Sequence, residues 1–94
     1  MKLLGKERLR AFKQKHGDVC APCEAWEQEV ANANWKRPQD IKNRFPSASF
    51  LGDNCVIFNL KGTKYRIGVI IYYPTESVLV EWALTHAEYT KKFG

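Results

Sequence analysis

The sequence predicts an α+β fold in which a small antiparallel sheet packs against two N-terminal helices. A change in hydrophobic periodicity indicates this class. In the first third of the chain, apolar residues recur every three to four positions, as in helices with one buried face. From residue 55 the period changes to two, as in strands. We expect a three-strand C-terminal meander, with room for a short N-terminal strand, in a single domain spanning residues 1–94.

Two helices and a further helical turn are predicted before the strands. The first spans residues 6–16 and closes before Gly17, a favoured residue just past a helix end. The second spans residues 22–33, where Pro22 suits the first helical position. Their apolar stripes consist of Leu9, Phe12 and His16, and of Cys23, Trp26, Val30 and Ala33. A short third helical turn, opened by Pro38, follows.

The strands are expected to pair in one consistent register. A two-residue turn at residues 62–63 places Asn59 opposite Arg66. A second turn at residues 74–77 closes the next hairpin. The expected pairs across that hairpin are Tyr73 with Val78, Ile71 with Val80, Val69 with Trp82, and Ile67 with Leu84. This register buries one apolar face against the helices.

A polar row is predicted on the face turned away from the helices. Its members are Asn59, Arg66 and Thr85. Lys61 and Lys64 face each other across the turn, where their like charges repel and a bound phosphate would relieve the repulsion. His86 follows directly after the last strand. Apolar residues share this face, so part of it requires cover from a helix, a terminus or a partner protein.

This constellation suits cleavage of RNA at a phosphate, without a metal or a cofactor. In that reaction the ribose 2′-hydroxyl attacks the neighbouring phosphorus, while the protein moves protons and neutralises charge. Arg66 offers a planar fork that matches phosphate oxygens, and Lys61 and Lys64 add positive charge. His86 is the expected proton carrier, and Tyr89 suits stacking on a base or hydrogen bonding to the phosphate.

Each of these residues also has a purely structural interpretation. In that interpretation Arg66 is a solvated cross-strand partner, His86 is a helix-capping residue, and Tyr89 packs over the sheet edge. Lys61 and Lys64 suit turn residues that keep the hairpin soluble. A second class of function therefore stays open: a non-catalytic module that binds RNA or a protein with the same basic face.

The charge balance favours an acidic partner such as nucleic acid. Fifteen Lys and Arg residues stand against ten Asp and Glu, which gives a net charge of +5 and a pI near 9.2. Residues 1–16 carry six basic side chains and one acidic one, whereas the charged residues of 17–34 are all acidic. No apolar run approaches a membrane span or a signal peptide, so we expect a cytoplasmic protein with no membrane partner.

The cysteines raise a third alternative, a thiol or metal protein. Cys20 and Cys23 form a CxxC pair at the start of a predicted helix, a pattern that lowers thiol pKa values. Residues 16–19 before the pair form a loop, whereas redox motifs follow a buried strand. His16 and the two thiols make three metal ligands, one short of a closed zinc site unless Cys55 joins them. We expect a core-facing Cys23 beside an incidental Cys20, with reduced thiols and no metal.

Four blocks of the sequence resemble the HigB family of toxins, a branch of the RelE-type messenger RNA interferases. They cover residues 34–42, 45–52, 56–66 and 85–89. The resemblance implies a RelE-like sheet with two N-terminal helices and the role of toxin in a type II toxin–antitoxin system. It also implies endoribonuclease activity on messenger RNA translated by the ribosome. The implied partner is a helix-turn-helix antitoxin of the HigA type, through which alone operator DNA is bound.

The resemblance also assigns roles by position. Arg66 matches the phosphate-binding arginine of the superfamily, Lys61 and Lys64 fall in its basic turn, and His86 and Tyr89 occupy its C-terminal catalytic segment. We expect further RNA contacts from Asn59, Lys36, Arg37, Lys91 and Lys92.

Three positions depart from the family pattern. Cys55 and Glu81 stand where relatives often have arginine, and Thr90 replaces a common aspartate. The two missing cations indicate either reduced ribonuclease activity or a basic patch outside the active site.

Overall fold

A five-stranded mixed sheet organises residues 1–93, the part of the chain that the computed structural model describes. The strands are β1 (Lys2–Leu4), β2 (Ser49–Phe50), β3 (Cys55–Leu60), β4 (Tyr65–Tyr72) and β5 (Ser77–Thr85), in the spatial order β1-β5-β4-β3-β2. The helices are α1 (Lys6–Lys15), α2 (Cys20–Asn32), α3 (Pro38–Arg44) and α4 (His86–Phe93), with a 3₁₀ turn (Gly17–Val19) before α2. The predicted α+β class is confirmed. Within residues 1–93, every helix is too short or too polar to cross a membrane.

The core lies between one face of the sheet and helices α1 and α2. The helices bury Leu9, Phe12, Cys23, Trp26 and Val30, in agreement with the predicted stripes. The sheet contributes Val56, Phe58, Leu60, Ile67, Val69, Ile71, Val78 and Val80, all at most 7% exposed. The rings of Trp26 and Phe58, 5.3 Å apart, join the two layers edge to face. His16, predicted on the α1 stripe, lies just past the helix end.

The sheet is larger than the predicted meander. β1 pairs in parallel with β5, so the short N-terminal strand is present and makes the sheet mixed rather than antiparallel. β2 pairs antiparallel with β3 at the opposite edge. Strands of two or three residues contain too little alternation for a sequence pattern to reveal them.

The predicted register of the first hairpin is confirmed. Asn59 lies opposite Arg66 in the antiparallel pairing of β3 and β4. Lys61 and Lys64 flank the turn, where the Lys64 backbone N–H donates to the Lys61 carbonyl at 3.3 Å. The cations of this hairpin are therefore as close as the sequence predicts.

The predicted register of the second hairpin is wrong. The observed pairs include Ile71 with Val78, Val69 with Val80, Gly68 with Trp82, and Arg66 with Leu84. The turn occupies residues 73–76 rather than 74–77, which shifts the first pairs by two residues. Glu81 is an extra residue between two consecutive pairs and forms a β-bulge.

Beyond the bulge, each side chain of β5 faces the side of the sheet opposite to the predicted one. Trp82 and Leu84, predicted to face the core, lie on the outer face, with Leu84 directly opposite Arg66. Thr85 instead lies opposite Tyr65, so it does not belong to the predicted polar row. The row therefore consists of Asn59 and Arg66, with the apolar Leu84 in the place predicted for Thr85.

Helix α4 covers the outer face around Trp82. The centroid of the Trp82 ring lies 5.8 Å from that of Tyr89 and 5.3 Å from that of Phe93. Gly68 makes this possible, because a Cβ at that position would lie 2.1 Å from Trp82 Cε2. The cover that the sequence requires for this face thus comes from the chain's own C-terminal helix.

Candidate functional site

The turn between β3 and β4 holds two lysines around one carboxylate. The Nζ atoms of Lys61 and Lys64 lie 3.0 and 2.8 Å from Asp18 Oδ2. The Tyr65 hydroxyl donates a hydrogen bond to Asp18 Oδ1. Asp18 reaches the turn because it lies in the 3₁₀ segment between α1 and α2. The repulsion between the two lysines is therefore relieved by a side chain of the protein.

These contacts shift the acid–base equilibria of the cluster. Hydrogen bonds from Lys64, Tyr65 and Lys61 hold the pKa of the Asp18 carboxyl well below its usual range. The hydrogen bond to Asp18 raises the pKa of Lys64, and it also raises that of the Tyr65 phenol. At physiological pH the cluster thus keeps Asp18 as a carboxylate, Lys64 as an ammonium group and Tyr65 as a neutral phenol.

Arg66 is a cation on the outer face of the sheet, opposite Leu84 and against Tyr89. Among residues 1–93, its guanidinium forms no ion pair. The guanidinium carbon lies 4.3 Å from the centroid of the Tyr89 ring, a cation–π contact that fixes the direction of the side chain. The cross-strand neighbour Asn59 donates from Nδ2 to the Ser47 carbonyl at 3.1 Å. Arg66 therefore keeps its charge and donor groups for a partner.

A capping box fixes the start of α4 beside the lysine turn. The Glu88 backbone N–H donates to Thr85 Oγ1 at 3.1 Å, and the Thr85 N–H donates to Glu88 Oε1 at 2.9 Å. The His86 backbone N–H donates to the Lys64 carbonyl at 2.8 Å. Thr85 is thus the cap, and His86, interpreted in one alternative as a capping residue, is an exposed first residue of the helix.

Tyr89 has a packing role in this arrangement. Its ring lies between Arg66 and Trp82, and its centroid is 5.1 Å from that of Phe93. The side chain is half-buried against the outer face. This agrees with the packing interpretation of Tyr89, whose ring also contacts the Arg66 guanidinium.

The remaining predicted RNA-binding residues lie outside this cluster. Lys36 Nζ is 3.3 Å from Glu76 in the β4–β5 turn, at the far end of the sheet. Arg37 lies next to it, with Nε 3.8 Å from Asp40 Oδ1. Lys91 and Lys92 are exposed near the end of α4. The structure thus keeps Lys61, Lys64 and Arg66 in one hairpin, with the lysines turned to Asp18 and Arg66 to Tyr89. It separates the pair at residues 36–37 from them.

The two positions without the family's arginines also lie away from the lysine turn. Cys55 pairs with Ile70, four residues along β4 from Arg66 and thus about 13 Å away. Glu81 is exposed at the bulge.

The thiols do not form a reactive pair. Cys23 is fully buried, and burial raises the pKa of its thiol to about 12, so it stays protonated. The Cys20 thiol donates to the Lys13 carbonyl. Over residues 1–93, no three His, Cys, Asp or Glu side chains are placed to share a metal ion. The prediction of a core-facing Cys23 is confirmed.

Sequence reasoning missed the two residues that organise the lysine turn, Asp18 and Tyr65. Asp18 lies in a loop between two helices and approaches the turn only through the fold, 43 residues away from Lys61 in sequence. No local pattern marks such a contact. Tyr65 lies on the same side of β4 as the inward residues Ile67 and Val69, which predicts burial of its ring but not the use of its hydroxyl.

Comparisons with known proteins identify the family. The family model HigB_toxin, described as a RelE-like toxic component of a toxin–antitoxin system, matches residues 20–92. The mRNA interferase toxin HigB of Escherichia coli strain K12 is 23% identical over 91 residues, covering 95% of this chain and 88% of that protein. The mRNA interferases HigB of Escherichia coli O157:H7 and Shigella flexneri match to the same extent. This chain therefore belongs to the HigB family of RelE-like toxins of toxin–antitoxin systems.

Proposed function

We propose that this toxin is an endoribonuclease that cleaves messenger RNA during translation on the ribosome, without a metal. Its family and the names of its relatives, which are mRNA interferases, support messenger RNA as the substrate. The observation that carries the proposal is the guanidinium of Arg66, which forms no ion pair within residues 1–93 and packs against Tyr89. A fixed cation of this kind stabilises the charge that develops on phosphorus during 2′-hydroxyl attack.

The neighbouring residues divide the remaining work. Arg66 binds two oxygens of the scissile phosphate through its planar fork. Lys61 and Lys64 add positive charge at the same end of the sheet. His86 takes the proton of the 2′-hydroxyl as that oxygen bonds to phosphorus, and a proton returns from the imidazole to the 5′ oxygen as its bond to phosphorus breaks. Tyr89 positions the guanidinium by stacking beneath it.

The partners follow from the family. A toxin of this kind requires an antitoxin, and we propose a helix-turn-helix protein of the HigA type, with operator DNA bound only by that protein. We further propose that residues 1–94 form one domain that acts in the cytoplasm. Lys36, Arg37, Lys91 and Lys92 are proposed contacts to RNA outside the reacting phosphate.

One observation favours a second candidate function, a non-catalytic binding module. Both lysines of the turn already have a carboxylate partner, and Tyr89 is engaged in packing. A protein that only binds RNA or another protein through Arg66 and its surroundings has no need of free lysines. The two candidates differ in whether messenger RNA is cut.

Addition of the purified toxin to translating ribosomes, with messenger ends mapped by primer extension, tests the proposal. We expect new ends with the wild-type protein and a loss of about 100- to 1,000-fold in cleavage rate for Arg66→Gln. His86→Ala should lose about as much, since general acid–base catalysis contributes about 100- to 10,000-fold. Arg10→Gln, an exposed arginine of α1, is the matched control and should cut normally.

The outcomes separate the two candidates. An absence of new ends with the wild-type toxin removes the enzyme and leaves the binding module. Normal cutting by Arg66→Gln removes the assigned role of that residue while keeping the activity. A messenger with a 2′-deoxyribose at the mapped position should resist cleavage, because it lacks the nucleophile.

A further inference from the structure

We infer that Asp18 is an internal counterion that competes with the RNA phosphate for Lys61 and Lys64. The inference rests on the proposed function for the identity of the ligand, a single-stranded RNA. It concerns a residue that the sequence analysis did not single out. Asp18 thereby sets the affinity of the lysine turn for RNA.

The geometry of the carboxylate is that of a bound anion. Asp18 Oδ2 accepts from both ammonium groups, at 3.0 and 2.8 Å. A non-bridging phosphate oxygen would be held by the same two donors, because charge-assisted hydrogen bonds of lysine have this length with either acceptor. The carboxylate and the phosphate therefore claim the same donors.

The carboxylate is held in place but remains open to solvent. Tyr65, which is 3% exposed, anchors Oδ1 through its hydroxyl. The Tyr65 ring packs edge to face against Phe12, 5.5 Å between centroids. The Asp18 side chain itself is 37% exposed, and the side chains of Lys61 and Lys64 are 45% and 58% exposed. An incoming phosphate can thus reach the ammonium groups and displace one carboxylate oxygen without opening the core.

The charge count gives the size of the effect. Two ammonium groups and one carboxylate leave a net charge of +1 at the turn, and removal of the carboxylate makes it +2. For single-stranded nucleic acid, each further phosphate neutralised steepens the dependence of log K on log salt by about 0.7. If binding with and without the carboxylate is equal at 1 M salt, the protein without the carboxylate binds RNA about eightfold more tightly at 50 mM salt.

The test compares RNA binding by Asp18→Asn and the wild-type protein. Asparagine keeps an oxygen for the Tyr65 hydroxyl. It removes the negative charge and replaces the oxygen that accepts from the two lysines with an amide nitrogen, which cannot accept. The probe is a fluorescent 12-nucleotide RNA with 2′-O-methyl groups, which cannot be cleaved, titrated by anisotropy from 50 mM to 1 M salt. Asp53→Asn is the matched control, an exposed aspartate beyond the opposite end of β3. Asparagine also tolerates the positive φ of 59° at that position.

We expect Asp18→Asn to bind about eightfold tighter than the wild-type protein at 50 mM salt, with a steeper salt slope, and Asp53→Asn to match the wild type. Equal or weaker binding by Asp18→Asn overturns the inference, and so does an absence of measurable binding by both proteins. Tyr65→Phe, which keeps all charges, should not reproduce the tighter binding. A tight-binding Asp18→Asn protein whose wild-type parent cuts no messenger would refute the proposed function and leave this inference standing.

Discussion

Gly68 is the residue on which the packing of the outer face depends. Trp82 lies flat over it, so an added Cβ would meet the ring at 2.1 Å. We expect Gly68→Ala to lose about 1–3 kcal/mol of unfolding free energy, because overpacking forces the indole and its neighbours to move. Equilibrium unfolding in urea measures the loss.

The matched control for Gly68→Ala is Gly17→Ala. A Cβ at Gly17 has nothing within 4 Å, and its φ is not positive. That variant should keep or slightly gain stability, since alanine restricts the unfolded chain. Equal stability of the two variants would show that Trp82 can move aside freely, and the outer face would then be looser than its ring contacts indicate.

Single residues also show where sequence reasoning stops. Arg66, Lys61 and Lys64 could be predicted as neighbours because a short turn joins them within one hairpin. The Asp18 carboxylate between the lysines could not be predicted, because its position depends on how two helices pack on the sheet. Local pattern identifies charged groups, whereas their partners depend on the complete fold.

Among the elements, α4 depends on an ionised Glu88 at its N-terminus. The hydrogen bond from the Thr85 backbone lowers the pKa of the Glu88 carboxyl. Because the pKa of Glu88 is lower in the folded than in the unfolded protein, its ionised carboxylate stabilises the fold at pH values above the unfolded pKa of about 4.3. This stabilisation is lost as the pH falls through the folded pKa. Glu88→Gln should therefore be less stable than wild type at pH 7, by about 0.3–1 kcal/mol.

The pH dependence provides the check. The stability difference between Glu88→Gln and the wild type should shrink as pH falls from 5 to 3, because the wild-type side chain becomes neutral. Urea unfolding at several pH values in that interval measures it. Glu81→Gln, which changes an exposed glutamate of β5, should show no such convergence. A constant difference for Glu88→Gln would mean that the amide fails for steric rather than electrostatic reasons.

The elements were predictable to different degrees for one physical reason. Both N-terminal helices and the first hairpin follow from periodicity and turn chemistry, which act over a few residues. The predicted second hairpin is wrong because its turn lies at residues 73–76 and because the bulge at Glu81 inserts one residue without a compositional mark. That insertion places Trp82 and Leu84 on the outer face. The sequence therefore predicts that this face needs cover, but not that α4 packs on Trp82 to provide it.

At the scale of the whole molecule, two groups of predicted RNA-binding cations, the lysine turn and residues 36–37, lie at opposite ends of the sheet. β4 runs for eight residues from the lysine turn to the turn that holds Glu76, which Lys36 contacts. At about 3.3 Å per residue, the two ends are about 23 Å apart. One phosphate cannot reach both ends, so a ligand that uses both must be a longer strand.

This separation predicts two classes of variant. The double variant Lys36→Gln/Arg37→Gln should weaken binding of a 12-nucleotide 2′-O-methyl RNA and reduce its salt slope by about 1.4, about 0.7 for each lost contact. It should leave the weak binding of a dinucleoside monophosphate, followed by NMR titration, unchanged. Arg66→Gln should weaken the binding of both ligands, because we propose that Arg66 binds a phosphate and both ligands contain at least one. If the double variant weakens the dinucleoside monophosphate as well, the two ends act on one site, and the long-strand model is wrong.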